Sequence, residues 1–447
     1  MKVLLLQPHQ KRKEVTGPPI GLASIASVLE ENGHTVRILD SSILGSQLED
    51  IKKEIKKFAP DVVGITSTTK DIYKVFSIAK ISKQINPNCI NVLGGPYSTV
   101  RSIETLEECN YIDVIVRKEG EETFVELLEK KDDLEKVKGI TYKCKNKIKK
   151  NPDRKYISNL DKLPLPAYHL LPMKKYKLKF DILKYDPMFS KSETGFGAIS
   201  TCRGCPYNCA FCSSKSTWNQ EWRGRSPDRV IEELTILRNK YNIRIIDCID
   251  DTFTIDKKRT EKICNSIKKE DIDISWICPT RADLFNKETS DLLKKGKCKY
   301  IFFGLESGNQ KTLDFLNKKI TIDQSLKAVK NAKKEGFKIF SGFIIGVPGE
   351  TKELINNTIT FAKKLNLDVV SFSLLIPYPG TEIFDYAEKN NLLLTKRWSD
   401  YTGGKPIIKV SGLRSSEIRN FLLKTNFYFN HSPKNFLKNF YQIIRNS

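Results

Sequence analysis

Residues 201–214 read TCRGCPYNCAFCSS and crowd Cys202, Cys205, Cys209 and Cys212 into one short loop. Four thiolates can close a metal site completely. Three can hold an iron–sulfur cluster and leave one iron open. A structural zinc site separates its two ligand pairs by a loop of about a dozen residues or more. Only three residues part Cys205 from Cys209, too few for two such knuckles. Two-cluster ferredoxins use other spacings. The subset Cys205, Cys209 and Cys212 has the form CxxxCxxC. Its thiolates can wrap one cuboidal 4Fe–4S cluster and leave the fourth iron without a protein ligand, available to a substrate as the open position of a catalytic zinc is. Cys202 then reads as a buried thiol on the preceding strand. Cys89, Cys109, Cys144, Cys248, Cys264, Cys278 and Cys298 fall singly along the chain and read as small buried hydrophobes.

The elements that position this loop follow from composition and periodicity. The chain has 447 residues, enough for two or three domains, and a 39% hydrophobic fraction that supplies ordinary cores. No apolar run approaches the ~20 residues needed to span a bilayer. The opening MKVLLLQP is too short an apolar stretch for a signal peptide and reads as a first buried strand. The expected location is therefore cytoplasmic, where thiols stay reduced and a tight cysteine cluster implies metal rather than disulfides. Lys+Arg number 76 and the net charge is +23. Such a balance can serve nucleic acid or an anionic surface. Here the lysines are spread along every helix (Lys52, Lys53, Lys56, Lys57; Lys327, Lys330, Lys333, Lys334) with no recognition motif, so nucleic acid is not an expected partner.

Residues 1–130 alternate strand and helix patterns: KVLLLQP, the helix PIGLASIASVLEENG with Pro19 near its start and Gly33 past its end, TVRILDS, LEDIKKEIKKFAP, DVVGITSTT, and onward to EETFVELLEKK. Strands flanked by helices throughout predict a doubly wound parallel sheet, whose ligands bind beyond the C-terminal strand ends. Residues 131–194 break the rhythm with a hairpin pattern, GITYKCKNKIKKNPDRKYI, and a proline-rich connector, NLDKLPLPAYHLLP; this is read as an interdomain linker. Residues 195–395 hold six further β/α units, where eight would close a barrel. Residues 396–447 are read as a helical tail; from Ser432-Pro433 onward Phe436, Leu437, Phe440, Ile443 and Ile444 form one apolar stripe.

In a parallel barrel, reactive residues belong just after the strands. The six predicted strand ends carry the cysteines, then Asp250-Asp251, Thr280-Arg281, Glu306-Ser307-Gly308, Gly346-Val347-Pro348-Gly349-Glu350 and Pro377-Tyr378-Pro379-Gly380. All converge on one rim.

CxxxCxxC at the end of a first barrel strand, with Phe211 one place before the last cysteine, resembles the signature of the radical S-adenosylmethionine superfamily across residues 195–395. The resemblance implies a 4Fe–4S cluster on Cys205, Cys209 and Cys212, with S-adenosylmethionine chelating the open iron and yielding a 5′-deoxyadenosyl radical. It implies backbone near Phe211 at the adenine, Glu306 at the ribose or methionyl end, Arg281 at the methionyl carboxylate, and Gly346 and Pro348 over the adenine. Asp250 and Asp251 stand where the family usually has Gly-Gly-Glu. A mutual Arg281–Glu306 salt bridge on the rim is the structural alternative for that pair.

The first domain resembles the cobalamin-binding domain of the subgroup that contains class B methyltransferases and the anaerobic protoporphyrin cyclase. Of the landmarks of such domains, Ser67-Thr68-Thr69 and Gly94-Gly95 are present, and the Asp-x-His-x-x-Gly loop is absent. EGEET at 119–123 and LDKLPLPA also match the subgroup. The resemblance thus implies cobalamin, with Ser67, Thr69, Gly94 and Gly95 near it.

The resulting expectation is an α/β chain: an N-terminal doubly wound parallel sheet (cobalamin-binding-like), a partial (β/α)6 barrel and a short helical tail. Its expected activity is C–H activation by a 5′-deoxyadenosyl radical, with methyl transfer to an unactivated carbon. A reductant such as flavodoxin or ferredoxin would supply the electron, and the substrate would be a small or lipid-like molecule. Oxidative cyclisation or rearrangement uses the same parts. RNA modification would require further cluster cysteines in the first domain and a terminal β-barrel domain; the first domain has only Cys89 and Cys109, and the tail reads as helical. A cobalamin or redox sensor would have no need of the rim residues.

Overall fold

A computed structural model of the chain describes residues 1–9, 17–145, 147–177 and 195–430. They form two compact units, Met1–Tyr176 with Ser213–Arg223, and Lys177–Cys212 with Gly224–Ser447. The tail stripe from Phe436 to Ile444 lies outside the described residues.

The first unit is built on strands β1 (Lys2–Gln7), β2 (Thr35–Asp40), β3 (Val62–Thr66), β4 (Ile90–Gly94), β5 (Val114–Val116), β6 (Ile140–Cys144) and β7 (Lys147–Lys150), in the order β2-β1-β3-β4-β5-β6-β7. The first five are parallel. The run KVLLLQ is apolar without alternation because both faces are covered: Val3, Leu4, Leu5 and Leu6 are all buried. Val3 and Leu5 share a core with Leu22, Ala26 and Leu29 of helix Ile20–Glu31 and with Phe124 of helix Glu121–Glu129. The expected hairpin is β6–β7, and it pairs antiparallel onto β5. This unit therefore runs on past residue 130 as far as Tyr176, whose buried hydroxyl donates to Asp40 Oδ2 at 2.9 Å. Within the same unit the buried Arg223 donates to both oxygens of the buried Glu119, at 2.9 and 3.0 Å, and to the Ile157 carbonyl at 2.6 Å.

The second unit holds β8 (Gly195–Ile199), the short strand β9 (Cys202–Arg203), and then β11 (Ile243–Cys248), β12 (Ser275–Thr280), β13 (Cys298–Glu306), β14 (Lys338–Ile345) and β15 (Val369–Leu374); a two-residue strand, β10 (Arg223–Gly224), begins on the last first-unit residue and brackets the cysteine loop in sequence with β9. β8 and β11–β15 form one parallel sheet in strictly sequential order, with β8 and β15 at its edges. The helices between them start on side-chain caps that satisfy otherwise unpaired N–H groups. Ser226, Asp256, Asn286, Thr321, Thr351 and Thr381 each accept from a backbone N–H in the first turn of the helix that follows. Alternation along each strand sends one set of side chains outward to these helices. Ile246, Cys248 and Trp276 face Val230, Leu234, Ile263 and Ile267 around a small void. Phe343 stacks on Phe372 at 5.2 Å and meets Phe361 of helix Lys352–Leu365 edge-on.

Residues 396–414 carry one 3-10 turn at Trp398–Asp400, a bridge from Ile408 back to Leu393 and a bridge Val410↔Leu413, with no α-helix. Helix Ser415–Asn430 then packs on β15. Asn426 accepts from Phe372 N–H and donates to its carbonyl, each at 3.0 Å, and Phe429 stacks on the Phe372 ring. The tail is thus only partly helical: Asn426 supplies β15 with the edge pairing that a further strand would otherwise supply. No helix among the described residues is long and apolar enough to cross a membrane.

Because Phe343 is fully buried between two other rings, Phe343→Ala is expected to destabilise the second unit by about 3–5 kcal/mol. Chemical denaturation followed by tryptophan fluorescence measures the loss.

Candidate active site

The cysteine loop leaves β8 over a buried carboxylate. Asp250 Oδ1 accepts from Thr201 N–H at 2.7 Å and Cys202 N–H at 3.0 Å, and Oδ2 accepts from the Thr201 hydroxyl. Arg259, from helix Lys257–Lys269, donates to the carbonyls of Thr201 (2.7 Å) and Arg225 (2.6 Å). The far side of the loop is fastened as well. Ala210 N–H donates to the Leu316 carbonyl at 2.9 Å, and its own carbonyl accepts from Ile383 N–H at 3.0 Å. Asn317 Nδ2 donates to the Asn208 carbonyl, and Asn208 Nδ2 to Glu382, both at 2.7 Å. A loop of such composition has no intrinsic structure; these bonds supply it from four other elements.

All three cysteines of the CxxxCxxC set are outside disulfides and partly exposed, whereas Cys202 is buried, as a packing thiol should be. Burial pushes the Cys205 thiol up from its ordinary range, and Thr252 Oγ1 lies 3.9 Å from its sulfur. Arg281 Nη1 points at Cys209 Sγ from 3.9 Å. Among the described residues no three Cys, His, Asp or Glu groups are already drawn into a metal cage. The donor set nevertheless fits an iron–sulfur cluster: three thiols on one braced loop, with cations beside the middle one to offset the charge of bound thiolates.

The rim salt bridge weighed as the structural alternative to cofactor contacts does not form. Arg281 and Glu306 do not bridge each other. Arg281 is clamped by Asp283 (2.9 and 3.2 Å), donates to the Lys318 carbonyl at 2.8 Å, and lies 3.6 Å over the Tyr207 ring. Glu306 instead pairs with Lys318 at 2.8 Å and takes a left-handed backbone, φ +62°. Burial works against the Lys318 ammonium, but Glu306 and the Cys209 sulfur more than offset it and hold its pKa above the usual lysine range. Lys318 was invisible in the sequence: it is one of 76 basic residues and lies in no motif.

Phe211 packs on a core formed by Ala210, Leu316, Ile344, Val347, Leu375 and Ile383, which joins the cysteine loop to the segment Gly346–Glu350. Gly346 is at φ +79°, and Pro348 is buried beside it. Glu350 folds back beneath this segment. Its Oε2 accepts from the N–H groups of Gly346 (2.8 Å) and Val347 (2.9 Å), and burial raises its carboxyl to about 7 against the two backbone bonds. Asp250 and Glu350 are therefore braces, one under each loop.

In the first unit, Ser67, Thr69, Gly94 and Gly95 meet at the C-terminal ends of β3 and β4. Ser67 donates to the Gly94 carbonyl through both its N–H (2.9 Å) and its hydroxyl (2.8 Å). Gly95 is at φ +98°, and a Cβ there would stand 2.5 Å from the Ser67 carbonyl oxygen, so this glycine permits the two strand ends to touch. A Cβ on Gly94 would meet only the Val116 carbonyl, at 3.8 Å, which leaves its face open to a ligand. Thr69 is buried at the start of the turn Thr69–Asp71.

Two outcomes test these braces. Asp250→Ala leaves two loop N–H groups unpaired and is expected to lower iron content after anaerobic reconstitution to about half or less, with circular dichroism retained. Glu350→Gln keeps an oxygen for both N–H groups but cannot ionise. In the parent chain the folded form holds the Glu350 proton up to about 7, while the unfolded form loses it near 4.5, so stability falls as pH rises between those values. Denaturant midpoints across that window are expected to slope downward for the parent and to flatten for Glu350→Gln.

Comparison with known proteins agrees with this geometry. The family model described as the radical SAM superfamily matches residues 199–362, and the B12 binding domain matches residues 13–128. An uncharacterized methyltransferase of Pyrococcus horikoshii is 44% identical over 450 residues, covering 99% of this chain and 95% of that protein. The anaerobic magnesium-protoporphyrin IX monomethyl ester cyclase of Rubrivivax gelatinosus is 29% identical over 432 residues, covering 94% and 75%. The radical S-adenosylmethionine methyltransferase TsrM from Kitasatospora setae, solved with cobalamin and a [4Fe-4S] cluster, superposes with a TM-score of 0.71 at 19% identity, covering 87% of this chain and 75% of that one. The chain belongs to the radical S-adenosylmethionine superfamily, in the group that carries a B12-binding domain ahead of the radical barrel.

Proposed function

We propose that this protein is a cobalamin-dependent radical S-adenosylmethionine methyltransferase acting on an unactivated carbon of a small molecule. The observation that carries the reading is the cysteine loop, braced on both sides and fastened by one core to Phe211 and the Gly346–Glu350 segment. Bound here, a 4Fe–4S cluster with S-adenosylmethionine supplies a 5′-deoxyadenosyl radical, and cobalamin supplies a transferable methyl group.

The residues of the chain bind, orient and exclude water. Cys205, Cys209 and Cys212 would hold the cluster, and three thiolates would leave it open to S-adenosylmethionine. Arg281 and Lys318 stand beside Cys209, where their charges would offset that of a bound cluster and its ligands. Phe211, Gly346 and Pro348 receive the adenine, where the apolar core keeps water from a reactive carbon radical. Glu306, fixed by Lys318, is placed for the ribose or methionyl end. Arg281 reaches the methionyl carboxylate with whatever donor capacity Asp283 leaves. Ser67, Thr69, Gly94 and Gly95 line the strand ends where cobalamin binds, as ligands do in doubly wound sheets. A flavodoxin or ferredoxin supplies the electron.

The likeness to the cyclase over 94% of the chain favours a second reading, oxidative cyclisation with the same cofactors. Anaerobic reconstitution with iron, sulfide and cobalamin separates the two. About four irons per chain plus bound corrinoid are expected, with 5′-deoxyadenosine and S-adenosylhomocysteine both formed when S-adenosylmethionine and reductant are supplied. Cluster without corrinoid would remove the methyltransferase reading. 5′-Deoxyadenosine alone, with substrate turned over, would favour the cyclase. Cys209→Ala is expected to reduce 5′-deoxyadenosine to background; formation at the parent rate would overturn the cluster assignment.

A further inference from the structure

The inner face of the six-stranded sheet carries a carboxylate to which the proposed function gives no role. Asp247 stands on β11, in register with Ala198 of β8 and Ile277 of β12. Its neighbours Ile246 and Cys248 face the outer helices. Asp247 therefore points the other way, into the concavity of the sheet. Among the described residues it makes no hydrogen bond or ion pair. The other inner carboxylate, Glu306, has its cation in Lys318 at 2.8 Å.

Across the same inner face, Asp247 is in register with Ile277 of β12, and Ile277 with Tyr300 of β13, so Tyr300 stands level with it two strands over; Tyr300 and Phe340 are both buried, 5.5 Å apart. Above them Phe302 lies in register with Pro279 and Phe340 on the same inner face, and its ring is left 44% exposed. Ile249, two residues beyond Asp247, is 49% exposed. On β14 a Cβ at Gly342 would meet nothing within 4 Å, and its register neighbour Ser371 on β15 is exposed. Large apolar side chains left open on a concave face, beside a glycine that keeps space clear, make the kind of surface a ligand covers.

Solvent reaches Asp247, which is only half-buried, yet desolvation raises its carboxyl to about 6. Protein thus encloses it on most sides and leaves one side open. An enclosed carboxylate lacking a cation is unfavourable, and a ligand ammonium removes that penalty. Asp247 also lies three residues before Asp250, the brace of the cysteine loop just past the end of β11, so a ligand held at Asp247 is registered against the loop by the backbone between them.

We infer that Asp247 anchors the substrate, and that the substrate is a small molecule carrying a protonated amine on an apolar body. This rests on the proposed function, in which a radical formed at the cysteine loop acts on the bound molecule.

A pair of probes tests the inference: 2-phenylethylamine and 2-phenylethanol, alike in size and differing in charge. Each is titrated calorimetrically into the anaerobically reconstituted holoenzyme at neutral pH. The amine is expected to bind about 10-fold tighter than the alcohol or better, and the preference is expected to vanish in Asp247→Asn. Equal affinities in the parent enzyme overturn the inference without recourse to any variant. So does a preference that survives in folded Asp247→Asn. The same parent preparation is assayed for 5′-deoxyadenosine: a preparation that forms it but does not discriminate the probes sinks the anchor alone. One that discriminates them but forms none sinks the proposed function instead.

Discussion

A single buried carboxylate, Asp250, holds the backbone where the second unit turns from its first strand into the cysteine loop. It takes three donors from Thr201 and Cys202, so the loop starts from a fixed point. Thiolates that share a cluster repel one another and need a rigid support. The loop has no helix or strand of its own between Cys205 and Cys212 to give that support. Rigidity is imported from Asp250, Arg259, Leu316, Asn317 and Glu382, that is, from the ends of strands and helices that come after the loop in sequence. The loop depends on the barrel being complete.

Charge follows the same plan. Arg281 and Lys318 lie by Cys209, and each is neutralised on its other side, by Asp283 and Glu306. Two buried cations without carboxylates would be costly, and two without a neighbouring sulfur anion would have less reason to be there. The arrangement leaves the rim close to balanced and ready for thiolates.

Much of this architecture was legible in the sequence for simple reasons. Unbroken apolar runs such as KVLLLQ reveal strands covered on both faces, and the six β/α repeats give their order directly, because sequential parallel strands here are also spatial neighbours. The cysteine spacing is a local property, so it could be read locally. Pairings across sequence could not. Arg281 and Glu306 were natural partners by type, yet each has a nearer one, because Asp283 is two residues away and Lys318 sits on the loop that returns beneath Glu306. Glu350 follows two glycines of GVPGE, and nothing local distinguishes a carboxylate that faces a ligand from one that folds back to its own backbone. The linker hairpin was recognisable as β6–β7, but its docking on β5 depends on an edge that no local pattern announces.

The segment directly after the cysteine loop, Ser213–Arg223, belongs to the first compact unit. The polypeptide therefore passes from one unit to the other, returns for eleven residues, and leaves again. Neither half can be excised by a single cut. A fragment ending near Tyr176 would strip Arg223 from Glu119 and strand a carboxylate in the interior, and the complementary fragment would keep an orphaned stretch with nothing to pack on. Recombination that swaps one module for a homologue must carry a non-contiguous patch along with it, which ties the inheritance of the two halves together.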